Sequence, residues 1–218
     1  MKNKKWLLIL IIAFPSFFWL ILESSTINSR KLPFYGPKKV IAQSDTTYYK
    51  VSDQFYQIDD NSGLVSASAE PVPYPVYAVI FIDKKYRLDS YRLTGLWEYL
   101  NYKKQKIEHI PFVLVTESDS GRSGTRDELK KLSGSKNIHF YGFPFDDFGA
   151  LAKSYFEEKP YYIDYSFFLL IDQDRHIRGY YDGRYVSELK RLIEEYQHLR
   201  LKEAKQKLTE SNEIKSNT

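Results

Sequence analysis

Three continuous apolar runs of strand length constrain this chain more than any other feature: Val76–Ile82, Ile110–Thr116 and Ser166–Ile171. None alternates apolar with polar residues, so each predicts a strand covered on both faces. Between the first two runs, Leu88–Leu100 places Leu93, Leu96, Trp97 and Leu100 at i, i+3, i+4 and i+7, which predicts an amphipathic helix. A strand–helix–strand crossover makes the first two strands parallel. The third run is followed by Asp172-Gln173-Asp174-Arg175 and then His176–Tyr181, a hairpin that adds antiparallel strands. Asp182-Gly183 ends it. Val186, Leu189, Leu192, Ile193 and Tyr196 then mark a closing helix, charged to about Leu208, and the last ten residues read as disordered.

The intervening segments complete an α/β pattern. Val51–Ile58 and the turn Asp59-Asp60-Asn61-Ser62-Gly63 predict an N-terminal β-hairpin ending near Val65. Thr125-Arg126-Asp127-Glu128 reads as a capping box opening a helix through Leu132. Ile138–Tyr141 predicts a short strand. Asp146 or Asp147 is expected to cap a helix with Phe148, Leu151, Ala152 and Tyr155 on one face. A βαβ unit followed by a hairpin and a closing helix is the thioredoxin arrangement, a mixed central sheet flanked by helices.

Composition removes whole classes of chemistry. The 218 residues contain no cysteine, and the single methionine is the initiator. Thiol redox work, cysteine-ligated metal and a lipidated cysteine anchor are therefore excluded. Copper(I), which selects soft sulfur ligands, lacks a donor set. The net charge of +4 is spread over interleaved acids and bases, without the basic stripe of a nucleic-acid binder. Tyrosine is abundant at 19 residues and phenylalanine at 14, a content that core packing absorbs or a partner surface uses.

The N terminus predicts an anchor. Lys2, Lys4 and Lys5 precede an uncharged run, Trp6–Leu22. As a helix it spans roughly 25 Å at 1.5 Å per residue, slightly short of a hydrocarbon core of about 30 Å. Snorkelling lysines and Trp6 make up the difference. The run carries bulky Phe14, Phe17, Phe18 and Trp19 and lacks a small-x-small cleavage site, which favours an uncleaved transmembrane helix over a signal peptide. The expected organisation is a basic cytoplasmic stub at 1–5, the anchor at 6–22, a linker at 23–49, the domain at 50–200, and a charged helix end and tail at 201–218. Positive-inside logic puts the domain outside the cytoplasm.

The residues also resemble the SCO/SenC family of membrane-anchored thioredoxin-fold proteins. The resemblance runs from about Leu32 to Leu199. It rests on Leu32-Pro33-Phe34-Tyr35-Gly36-Pro37, on Val51-Ser52-Asp53-Gln54-Phe55, and on the helices at Thr125–Leu132 and Ala150–Lys153. Its most specific part is the terminal hairpin, Phe168–Asp172 with Ile177–Gly183. The resemblance implies a protein of the bacterial inner membrane with a periplasmic domain, in the setting of cytochrome c oxidase assembly or copper handling. Family members use a CxxxC pair after the first core strand and a histidine before the hairpin. Those positions fall here near Lys85 and Asp89 and on Asp164. The resemblance thus implies a degenerate member, with no catalytic residue and no cofactor.

Asp83, Asp89 and Asp164 remain as candidates for a rebuilt cation site of hard oxygen ligands, against Lys84, Lys85 and Arg87 beside them. The bland reading is a loop start, a helix cap and an exposed turn. Tyr161, Tyr162 and Tyr165 are candidate partner-surface residues, with core packing as the alternative. The four histidines, His109, His139, His176 and His198, lack the spacing of a metal site. Ser120-Gly121-Arg122-Ser123-Gly124 lacks a phosphate-loop lysine and reads as a plain loop. The expectation is a tethered accessory or scaffold module with a protein partner. Its alternatives are a metal-binding protein or enzyme with a rebuilt Asp/His site, and an envelope protein of unrelated role on the same fold.

Overall fold

The computed structural model describes residues 17–18, 32–42, 45–58, 65–82, 93–118, 135–160 and 167–216. The chain divides into two units, Met1–Leu32 and Pro33–Thr218. Of the run at 6–22 only Phe17 and Phe18 are described; both are helical and exposed. Among the described residues no helix is long and apolar enough to cross a membrane.

In the second unit the strands are β1 (Lys39–Ala42), β2 (Asp45–Thr47), β3 (Gln54–Ile58), β4 (Val65–Pro71), β5 (Tyr77–Ile82), β6 (Phe112–Ser118), β7 (Ile138–Pro144), β8 (Phe167–Ile171) and β9 (Ile177–Asp182). The helices are α1 (Thr94–Ile107), α2 (Phe145–Tyr155) and α3 (Val186–Ser216). Seven strands form one sheet in the order β4-β3-β7-β6-β5-β8-β9, while β1 and β2 pair separately. The parallel core is β5-β6-β7, with Ile80 opposite Leu114 and Leu114 opposite Phe140. The predicted hairpins add antiparallel edges on either side, β3-β4 through β7 and β8-β9 through β5.

The unbroken apolar runs follow from covering both faces of this sheet. Tyr77, Val79, Val113, Val115, Leu169 and Ile171 pack on one face with Phe148 and Tyr155 of α2. Their neighbours point to the other face, where Phe112 meets Phe168 edge to face at 5.3 Å. On α3, Glu195 accepts a hydrogen bond from the Tyr181 hydroxyl, and the Arg191 guanidinium lies 4.4 Å from the Tyr181 ring centre. Leu93, Leu96 and Leu100 are buried as their spacing predicted.

Several boundaries differ from the sequence reading. β4 begins where the hairpin was expected to end and runs on to Pro71. β7 continues past Tyr141 because Phe143 and Pro144 stay in register with Glu117 and Ser118. α2 starts directly from that strand. Its N-cap is Pro144, so Asp146 and Asp147 sit in the first turn and favour the helix through its dipole rather than as caps. α3 extends to Ser216, through residues expected to be disordered; their lysine, glutamate, glutamine and leucine content favours a helix by propensity. The predicted linker is part of the compact unit from Pro33 on. Phe34 stacks on Tyr48 at 4.0 Å, and Tyr35 bridges to Ile177 of β9. The helix expected at Thr125–Leu132 and the loop at 120–124 lie outside the described residues.

Candidate functional site

Ligands of mainly parallel sheets sit at the carboxyl ends of the strands. Here β5 ends at Ile82, and β8, antiparallel to it, begins at the same end with Phe167. The segments leaving Ile82 and entering Phe167 carry Asp83, Lys85 and Asp89, and Tyr161, Tyr162, Asp164 and Tyr165. All seven lie outside the described residues.

The opposite end of the sheet carries the polar geometry that is described. The β8–β9 turn brings one ligand atom each from Asp172, Asp174 and His176 within 4.8 Å of one another. Their bonding reads as a turn lock. Asp172 Oδ1 accepts the backbone N–H groups of Asp174 (3.0 Å) and His176 (2.9 Å). Its Oδ2 pairs with the buried Arg178 at 2.9 Å. Arg178 also donates from Nε to the Pro33 carbonyl at 3.0 Å and lies 3.9 Å over the Phe34 ring. The carboxylate charge is thus already balanced by a guanidinium, which opposes a cation at this turn.

At the same end of the sheet lies a cleft of about 810 Å³, at the starts of β5, β6 and β7. Tyr74 and His139 form one wall, with ring centres 4.8 Å apart and planes inclined by 33°. The Tyr74 hydroxyl lies 3.2 Å from Nδ1 and 3.0 Å from Nε2 of His139. Glu108, His109, Lys136 and Arg200 add ionisable groups from two connections and α3. Sequence reasoning did not find this cleft. Its residues come from separate segments with no common spacing, and only the topology brings them together.

The described tyrosines divide between core and surface. Tyr77, Tyr155 and Tyr181 are fully buried, while Tyr102 and Tyr185 are exposed. Burial pushes the Tyr141 phenol up to about 12 and raises Tyr77, Tyr155 and Tyr181 further, the latter helped by the Glu195 charge. These phenols stay protonated at neutral pH and serve packing. Tyr155 donates to the Ser52 carbonyl, and Tyr180 to the Tyr155 carbonyl at 3.1 Å.

Compared by sequence, no protein-family model and no curated protein matches the chain. By structure it is similar to a SCO1/SenC family lipoprotein from Bacillus anthracis, with TM-score 0.51 and 14% identity, over 69% of this chain and 95% of that one. Yeast Sco1 with copper bound aligns with TM-score 0.40 and 18% identity, over 67% of this chain and 92% of that one. The thioredoxin domain of a thiol-disulfide oxidoreductase from Bacteroides vulgatus aligns with TM-score 0.41 and 13% identity, over 67% and 99%. The fold is therefore thioredoxin-like: a mixed central sheet with helices on both faces. More particularly, it is the fold of the Bacillus SCO1/SenC protein, present over nearly that protein's whole length. Copper held by thiolates does not fit this chain, because it has no cysteine to supply them.

Proposed function

We propose that this protein is a degenerate SCO/SenC-type module that works by binding a protein partner, in the setting of respiratory oxidase biogenesis or copper handling. The Trp6–Leu22 run tethers it to a bacterial inner membrane and leaves the thioredoxin-like domain on the periplasmic side. One observation carries this reading: the fold aligns over 95% of a SCO1/SenC protein, in a chain with no cysteine at all. A scaffold kept without its nucleophiles retains surfaces rather than chemistry, since fold alone does not fix activity. The resemblance of the terminal hairpin and of Leu32–Pro37 to the family supports the same setting.

Affinity capture of the tagged full chain from detergent-solubilised membranes tests this. The expected result is co-purification of an oxidase subunit or of a copper-handling assembly protein. Recovery of neither above an untagged control removes the proposed setting.

A further inference from the structure

We draw no further inference here: the strongest candidate, the cleft of about 810 Å³ at the starts of β5, β6 and β7, carries nothing because Tyr74, His139 and Arg200 in its wall make further contacts and the α3 side chains beyond Lys202 lie outside the described residues, so neither the charge nor the ring faces that would select a ligand are fixed.

Discussion

The guanidinium of Arg175 lies 2.6 Å from the buried carboxylate of Asp53, tying the β8–β9 turn to the segment that enters β3. Arg175 does this from a left-handed backbone, at φ 71°. Val51 reinforces the tie, its N–H donating to the Arg175 carbonyl at 3.0 Å. The turn therefore joins the two edge hairpins through one residue whose backbone is unfavourable for an L side chain.

That conflict gives a two-part prediction. Asp53→Ala is expected to cost about 2 kcal/mol in urea unfolding, between an exposed pair and a fully buried one. Arg175→Ala loses the pair and keeps the strain, whereas Arg175→Gly loses the pair and relieves it. The glycine variant is expected to be more stable than the alanine variant by about 1 kcal/mol. Equal midpoints for the two would show that the left-handed turn stores no strain.

Two glycines should respond to alanine with opposite signs. A Cβ on Gly179 of β9 would collide with the Tyr181 phenol, whose hydroxyl donates to Glu195. Gly179→Ala is expected to destabilise by about 1–3 kcal/mol through overpacking. A Cβ on Gly149, within α2, meets nothing within 4 Å. Gly149→Ala is expected to stabilise by about 1 kcal/mol from helix propensity alone. Thermal melts of both variants read the signs directly.

The buried phenols set an alkaline limit. Tyr141 keeps its proton up to about pH 12 in the folded chain, and Tyr77, Tyr155 and Tyr181 are raised further by burial. An unfolded tyrosine ionises near pH 10. Above that value the unfolded state releases protons the native state holds, so the stability these groups contribute is complete below about pH 10 and falls as pH rises toward 12. Tyrosinate absorbance from these residues should therefore appear together with loss of circular dichroism. Full ionisation near pH 10 with the fold intact would contradict the burial of these rings.

The sheet was legible in the sequence because burial on both faces leaves unbroken apolar runs, as at Val76–Ile82 and Ile110–Thr116. The start of α2 was not, because the helix leaves β7 directly at Pro144 and needs no aspartate cap. The end of α3 was misread because a polar segment that forms helix by propensity looks, by composition, like disorder. The family positions near Lys85 and Asp89 and on Asp164 were placed by counting from strands that the structure contains, although the residues themselves are not described. The cleft at Tyr74, His139, Lys136 and Arg200 had no sequence signal, since three distant segments supply these residues.

The most direct measurement of whether this fold has been separated from copper chemistry is competition for copper(I). The full chain in detergent is equilibrated with copper(I) and the chelator bicinchoninate under anaerobic conditions. With no cysteine among 218 residues and no methionine beyond the initiator, the protein is expected to withdraw no copper from the chelator. Retention of one copper(I) per chain against the chelator would contradict the reading of a SCO-type fold that acts through its surfaces alone.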